Sequence, residues 1–142
     1  MYPKAEIPVL QLSLYMSQPP EYHYNLGTQL RKLRDQGIFI IGSGNIVHNL
    51  RRIRWEPSAQ AFEWAVEFDE WAKERLVKRE FDSLIKDFNA TPAGQLSVPT
   101  PDHYYPFLYT LGASDEHDQM RFEYEEIQNG SISMRTLSFG MG

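Results

Sequence analysis

The sequence contains no cysteine among its 142 residues. This absence excludes disulfide bonds, zinc–thiolate sites and a cysteine nucleophile. Any metal site must therefore use histidine and carboxylate side chains. Long apolar runs are missing too, because no stretch approaches the roughly 20 residues that cross a bilayer, and the first residues lack the apolar core of a signal peptide. Together these absences predict a cytoplasmic protein.

An excess of positive charge is also missing. Lysine and arginine number 14 against 19 acidic residues, which gives a net charge of −5 and no electrostatic support for nucleic-acid binding. Hydrophobic residues make up 42% and charged residues 23%, a composition typical of folded proteins. The length suits one domain with its own core. We therefore predict a single domain over residues 1–142 that binds neither nucleic acid nor membranes.

Residues 38–50 form the most informative stretch, with the sequence IFIIGSGNIVHNL. An apolar run that ends in a glycine-rich turn, with Asn45 as a cap for a following helix, predicts a strand, a loop and a helix. In open α/β sheets, ligands bind where strands end in such loops. His48 would lie in the first helical turn, where the helix dipole disfavours protonation. A neutral His48 could accept a proton, although a purely structural histidine is an equal alternative.

The pattern of the remaining chain predicts the fold. Apolar alternation over residues 7–16 predicts a strand, residues 20–36 a helix, and residues 38–42 a second strand parallel to the first. Residues 58–88 predict two helices or one kinked helix, with Ser58 as an N-cap and a break within residues 73–75. The fold class expected is α/β: an open, partly parallel sheet flanked by helices, with a C-terminal antiparallel hairpin.

The second half predicts a loop, a helix and the hairpin. Residues 89–101 predict a loop, and Pro101 suits the first turn of a helix that has His103 at its start. Asn129-Gly130 is a strong hairpin signal. The apolar phase changes after Met134, which suggests a bulge near Arg135-Thr136.

Four histidines are available for chemistry. His48 and His103 both lie where a loop meets a predicted helix start, whereas His23 lies between two tyrosines and suits packing. His117 lies in an acidic stretch and should be solvated. No established catalytic motif is present, and spacing alone does not bring His48 and His103 together.

Three passages carry a family resemblance: residues 42–50, 99–106 and 130–135. In these passages the chain resembles the DOPA-dioxygenase-type (LigB-like) class III extradiol ring-cleavage dioxygenases, and the likeness extends over nearly its whole length. The resemblance implies a non-haem Fe(II), with zinc possible in its place, and a catecholic substrate that reacts with O2.

The resemblance also implies roles for individual residues. His48 matches the family's second-sphere acid/base, and His103 matches a metal ligand. Asn45 is predicted to bind substrate. Neutral imidazole is a suitable iron ligand, and such a site needs open positions for substrate and O2.

The chain departs from the family in length. Family members are about twice as long, and their amino-terminal portion carries two further metal-binding histidines that have no match here. A single protein ligand would bind iron poorly. The missing strands would also leave a sheet edge and apolar surface exposed, so we expect self-association or pairing with a complementary chain.

Three functions therefore stay open from the sequence. The first is an extradiol dioxygenase, or the C-terminal part of one. The second is a non-catalytic subunit or remnant that forms an interface. The third is a hydrolase with Ser43 as nucleophile and His48 as base, for which the sequence offers no orienting acid.

Overall fold

The computed structural model describes residues 4, 6–56 and 59–140. Its α-helices are α1 (Pro20–Leu30), α2 (Glu63–Lys78), α3 (Phe81–Lys86), α4 (Pro92–Ser97) and α5 (Tyr105–Ala113). Its strands are β1 (Met120–Tyr124), β2 (Ile127–Gln128), β3 (Ile132–Ser133) and β4 (Thr136–Phe139). Short 3-10 turns span Arg31–Gln36, Leu50–Arg52 and Pro101–His103. Across these described ranges, no helix has both the length and the apolar character needed to cross a bilayer.

Helices α1 and α5 cross at very short range. A Cβ atom at Gly27 would lie 2.3 Å from the Tyr109 carbonyl oxygen, and one at Gly112 would lie 2.1 Å from the Tyr24 carbonyl oxygen. Each helix therefore needs glycine at the crossing, since any side chain there would force the two backbones apart.

The core lies between α2, α3 and α5. Tyr104 is its largest fully buried side chain; its hydroxyl donates to the Leu84 carbonyl at 2.9 Å, and its ring stacks on Phe88. Other core members are Val47, Ala65, Phe68, Ala72, Leu76, Leu108 and Leu111. Val47 and Tyr104 are the sequence neighbours of His48 and His103. The core therefore fixes the backbone beside both histidines.

The predicted pair of helices in residues 58–88 is confirmed, but the break comes later than expected. Helix α2 continues to Lys78 and stops where Arg79 adopts a left-handed conformation with φ of 55°. Val77, in the last turn of α2, is 61% exposed, so the buried face of this helix ends before it. Phe62 occupies the N-cap position of α2, and the predicted cap Ser58 lies outside the described residues.

The predicted loop over residues 89–101 contains a helix, so that prediction is wrong. Helix α4 has Pro92 at its first position, and the Thr91 hydroxyl accepts a hydrogen bond from the Gly94 amide at 3.1 Å. A threonine cap followed by proline is a recognised helix start, so a local signal for this helix was present in the sequence.

The hairpin at Asn129-Gly130 is confirmed. Both residues have positive φ, 54° and 75°, as the tightest hairpin turns require. The turn joins β2 to β3, which pair antiparallel. The fold class is therefore confirmed in its mixture of helices and strands and in its C-terminal hairpin.

The change of apolar phase has a different cause from the predicted bulge. Ile132 lies in the β2–β3 pair, whereas Leu137 lies in the separate β1–β4 pair, so the two belong to different sheets. The register shift falls on β1, between Phe122 and Tyr124, rather than near Arg135-Thr136.

The two segments predicted as parallel strands, residues 7–16 and 38–42, form no strand and pair with no described strand. Among the described residues the sheets are the two antiparallel pairs above, so the predicted strand–helix–strand unit does not form within this part of the chain. The physical reason is that a strand needs a partner, and neither segment lies beside the other or beside β1–β4 in hydrogen-bonding register.

Candidate functional site

The structure brings His48 and His103 into direct contact, although they are far apart in sequence. Their imidazole rings stack with centroids 3.5 Å apart and planes inclined by 15°. Both side chains are partly buried, and His103 is 39% exposed. The pair therefore offers two ring-nitrogen groups at one partly open position.

Backbone contacts between two loops place the rings together. The Asn45 amide donates to the His103 carbonyl at 3.0 Å, and the His48 amide donates to the Ser97 carbonyl at 2.9 Å. A Cβ atom at Gly44 would lie only 2.1 Å from the His103 carbonyl oxygen, so this close approach requires glycine. Helix α4, which ends at Ser97, thus positions His48 directly.

A second segment contacts the other side of residues 45–49, which we call the His48 loop. Residues 131–133, which we call the strap, run antiparallel to residues 45–49, and an isolated β-bridge joins His48 to Ile132. The hydrogen bonds that join the two segments are Asn45 Nδ2 to Ser133 O (2.8 Å), Ser133 N to Val47 O (2.9 Å), Asn49 N to Ser131 O (3.1 Å) and Ser131 Oγ to Asn49 O (2.9 Å).

A buried ion pair fixes the strap to α2. The Ser133 hydroxyl donates to Asp69 Oδ1 at 2.6 Å, and Arg135 Nε donates to Asp69 Oδ2 at 3.1 Å. The side chains of Arg135 and Asp69 are 2% and 8% exposed. Arg135 also pairs with Glu70 at 2.9 Å and with Glu125. Buried charges persist only when paired in this way, so the strap has a strong attachment point.

Sequence reasoning missed Asp69, although a signal was present. Asp69 lies on the buried face of α2, next to Phe68 and between Ala65 and Ala72. Aspartate is almost never buried without a partner. An acidic residue inside an apolar stripe therefore predicts a buried cation elsewhere in the chain, and Arg135 is that cation.

The predicted reason for a neutral His48 is wrong, although the lowered pKa is present. The 3-10 turn starts at Leu50, and Asn49 caps it by accepting a hydrogen bond from the Arg51 amide, so His48 precedes the helical turn. Burial lowers the pKa of His48 below its ordinary value of 6.5, and the charge on His103 lowers it further. Desolvation, not a helix dipole, disfavours the imidazolium.

Asn45 is not a helix cap, which corrects a second expectation. Its amide nitrogen donates to the Ser133 carbonyl, so the side chain joins the loop to the strap. Asn49 takes the capping role instead. Asn45 is half-buried and two positions before Val47 in the loop, and its predicted contact with substrate stays a prediction.

His103 lies at the helix start, as predicted. It ends the turn Pro101–His103, which leads into α5, and its Nε2 atom lies 3.6 Å from an Asp102 carboxylate oxygen. Interaction with the Thr100 side chain lowers the pKa of Asp102, so that carboxyl is ionised.

The side chains near the histidine pair that could bind a metal provide only part of an iron site. Within the described ranges, no group of three or more histidine, aspartate or glutamate side chains is arranged to hold a metal ion. His103 and Asp102 lie side by side, but a mononuclear iron site needs more protein ligands than this. The residues described here therefore do not form a complete metal site.

The other histidines behave as predicted. His23 is fully buried, with Nδ1 3.1 Å from the Tyr109 hydroxyl and its ring stacked on Tyr105. The His117 side chain is 87% exposed. Ser43, the nucleophile of the hydrolase alternative, is exposed, and the described side-chain contacts include no hydrogen bond between it and His48.

A family model described as the catalytic LigB subunit of aromatic ring-opening dioxygenase matches residues 1–137. The chain belongs to the LigB family. This confirms the resemblance drawn from the three sequence passages, and it places the stacked His48–His103 pair in a family of ring-opening dioxygenases.

Individual relatives agree with this assignment. The LigB chain is 41% identical to 4,5-DOPA dioxygenase extradiol of Escherichia coli (strain K12), over 99% of its own length and 52% of that protein. It is 32% identical to the protein of the same name from Beta vulgaris, over 98% of its own length and 52% of that protein. The chain thus spans about half the length of the curated relatives it matches.

A solved structure shares the fold. The crystal structure of an uncharacterized protein from Escherichia coli K12 is 40% identical and superposes with a TM-score of 0.87. The match covers 96% of this LigB chain and 57% of that chain. The fold described above therefore occurs, nearly complete, inside a longer polypeptide.

Proposed function

We propose that this LigB-family chain supplies part of the active site of a non-haem Fe(II)-dependent extradiol dioxygenase that opens catecholic rings with O2. The stacked His48–His103 pair carries the proposal, because it joins two of the three passages that resemble the family, residues 42–50 and 99–106. The names of the Escherichia coli and Beta vulgaris relatives support a catecholic substrate.

His48 is assigned the role of acid/base. A group that takes a proton from a catechol hydroxyl must be neutral at working pH and must be reachable by substrate. The lowered pKa of His48 meets the first condition and its partial exposure meets the second. After accepting the proton, the imidazolium can return it as the ring opens.

His103 is assigned as one metal ligand and Asn45 as a substrate contact. Fe(II), or zinc in its place, would be the group that binds the two catechol oxygens and O2. Because the described residues provide an incomplete ligand set, the other ligands must come from polypeptide outside them. We accordingly propose that the site is completed by a further segment or a complementary chain.

An aerobic assay with Fe(II) and dihydroxyphenylalanine tests this function. It should be run on the 142-residue chain alone and on the chain produced together with the unmatched portion of the Escherichia coli relative. We expect a yellow ring-opened product in the second case, a loss of at least about a hundredfold in rate for His48→Ala, and no loss for the exposed control His117→Ala. Full activity of His48→Ala would refute the assigned role.

A non-catalytic subunit is the second candidate. The incomplete donor set favours it, since a remnant could keep the fold without the chemistry. Iron titration followed by calorimetry separates the two proposals. Stoichiometric, tight binding of Fe(II) by this chain, alone or in the complex, would exclude a remnant, whereas a complex that binds no iron would exclude the dioxygenase.

A further inference from the structure

The segment that follows the His48 loop carries positive charge and exposed apolar surface together. Residues 50–55 have the sequence LRRIRW, and all three of their arginines are exposed. The exposed fraction is 79% for Trp55 and 56% for Leu50. Neither Arg51 nor Arg52 forms an ion pair with another described residue. We call residues 50–55 the basic segment.

Helix α2 begins beside the basic segment and carries the opposite charge. Glu63, Val66 and Glu67 lie at positions i, i+3 and i+4, which share one face of a helix. All three residues are exposed, and Val66 is 43% exposed. Within the part of the chain that the structure describes, the two glutamates have no ion-pair partner. We call these three residues the acidic face.

Contacts with the hairpin turn hold the basic segment and the acidic face in a fixed arrangement. The Arg54 amide donates to the Asn129 carbonyl at 3.0 Å, and Asn129 Nδ2 donates to the Arg54 carbonyl at 2.8 Å. The Phe62 amide, directly before Glu63, donates to the Gly130 carbonyl at 2.9 Å. The Arg54 guanidinium lies 4.0 Å from the centroid of the Phe62 ring. The two charged regions are therefore adjacent parts of one surface.

The composition of this surface is typical of a protein–protein interface. Tryptophan and arginine are enriched among the residues that dominate binding energy, and exposed apolar side chains that lie together mark interaction sites. Trp55 lies outside the core of this chain, so its exposed ring is available to a partner. Because the arginines of the basic segment are positive, that partner must present an acidic surface.

A second copy of the chain presents such a surface. In a dimer with two-fold symmetry, each contact of residue i with residue j is repeated as a contact of j with i. A positive region that lies next to a negative region is therefore complementary to itself under a two-fold rotation. We propose that two copies of this chain pair about a two-fold axis, with the basic segment of each copy on the acidic face of the other.

An anionic polymer such as RNA or heparin fits this surface less well. The basic segment would attract it, but the acidic face and the net charge of −5 would repel it. The net charges of two copies repel only weakly at physiological ionic strength, because charges more than about 8 Å apart are largely screened. Contacts between the basic segment and the acidic face are shorter than this distance.

Charge reversal in the full 142-residue chain tests the proposal, with sedimentation at physiological ionic strength as the measurement. One double variant carries Arg51→Glu and Arg52→Glu, and the other carries Glu63→Arg and Glu67→Arg. Each variant alone should dimerise at least about tenfold more weakly, because like charges then face each other. An equimolar mixture of the two should form a heterodimer at least about tenfold tighter than either variant's own dimer, since opposite charges meet again at both contacts.

Lys86→Glu is the matched control, because Lys86 is exposed on α3, outside the proposed interface. It should leave dimerisation unchanged, whereas Trp55→Ala should weaken it by at least about tenfold.

Three results would overturn the proposal. They are a chain that stays monomeric at the highest concentration reached, double variants that dimerise as tightly as the unchanged chain, and a mixture that dimerises no better than its components. Heparin that binds through Arg51 and Arg52 to a monomeric chain would likewise assign the basic segment to another ligand. These readouts need neither iron nor catechol, so they are independent of the proposed function.

Discussion

Replacing Asp69 with Asn removes the negative charge that balances Arg135 inside the protein. The two side chains are 8% and 2% exposed, and Asp69 also accepts the Ser133 hydroxyl. The substitution keeps the shape of the side chain and an oxygen acceptor. It therefore tests the charge of the pair separately from its packing.

The expected loss of stability depends on the charges that remain around Arg135. Removing one partner of a buried pair typically costs about 3–5 kcal/mol, because the other charge is left uncompensated. Here Glu70 and Glu125 still contact the guanidinium, so compensation is partial. We expect a loss of about 2–3 kcal/mol. For a chain of this size this corresponds to a fall in Tm of roughly 6–12 °C.

Urea unfolding and thermal unfolding measure the global loss, and amide exchange measures the local one. Exchange at Asn49 and Ser133 should accelerate more than exchange in α5, because the strap would separate from the His48 loop first. Glu70→Gln is the matched control: Glu70 is 59% exposed, so it should cost less than about 1 kcal/mol. If Asp69→Asn were no more costly than Glu70→Gln, the buried pair would not be what holds the strap.

Three further predictions concern stability. Gly27→Ala should destabilise by about 1–3 kcal/mol in urea unfolding, because its methyl group would lie 2.3 Å from a main-chain oxygen of α5, and an unchanged midpoint would contradict that crossing. Tyr104→Phe should cost about 1–2 kcal/mol, since it leaves a buried main-chain carbonyl without its donor; a loss below the error of the measurement would contradict the bond. The hydrogen bond from Arg34 lowers the pKa of Asp118 below its ordinary 3.8, so stability from this pair is present above that value and is lost as pH falls through the lower folded pKa. Asp118→Asn should therefore make the free energy of unfolding fall less steeply as the pH is lowered into the acid range. An unchanged dependence on pH would refute the stabilising role of the Arg34–Asp118 pair.

Features that depend on local chemistry were predictable from the sequence. The hairpin at Asn129-Gly130 follows from two residues that tolerate positive φ, and Gly37 ends the first helical segment with φ of 75°. The packing role of His23 follows from its tyrosine neighbours. Such features need only a few adjacent residues, so a single sequence suffices to find them.

Features that depend on a partner were not predictable. The alternation in residues 7–16 predicts a strand, but alternation cannot say which strand lies alongside. In the described ranges, no strand pairs with residues 7–16 or with residues 38–42. Helix α4 was missed for a different reason, since its six residues are too few for a periodic pattern to outweigh their proline and glycine.

The candidate site likewise contains features that were predictable from local sequence and features that depend on distant partners. The passages that contain His48 and His103 could be identified from the sequence, because each has a distinctive loop. Their stacking, the strap and the Asp69–Arg135 pair arise from contacts between distant segments, which spacing cannot reveal. The low pKa of His48 was expected for the wrong reason, since burial depends on neighbours that the sequence does not specify.

The geometry also separates the contacts that place His48 from those that would complete the site. The His48 loop is fixed on one side by Ser97 and His103 and on the other by the strap, all through hydrogen bonds within this chain. The backbone of residues 39–44, before this loop, forms no backbone hydrogen bond with another described residue. Covering that surface is therefore not needed to bring the two imidazole rings together. If His48 acts as the proposed acid/base and His103 as a metal ligand, the contacts that place both side chains lie within this chain and do not depend on further ligands.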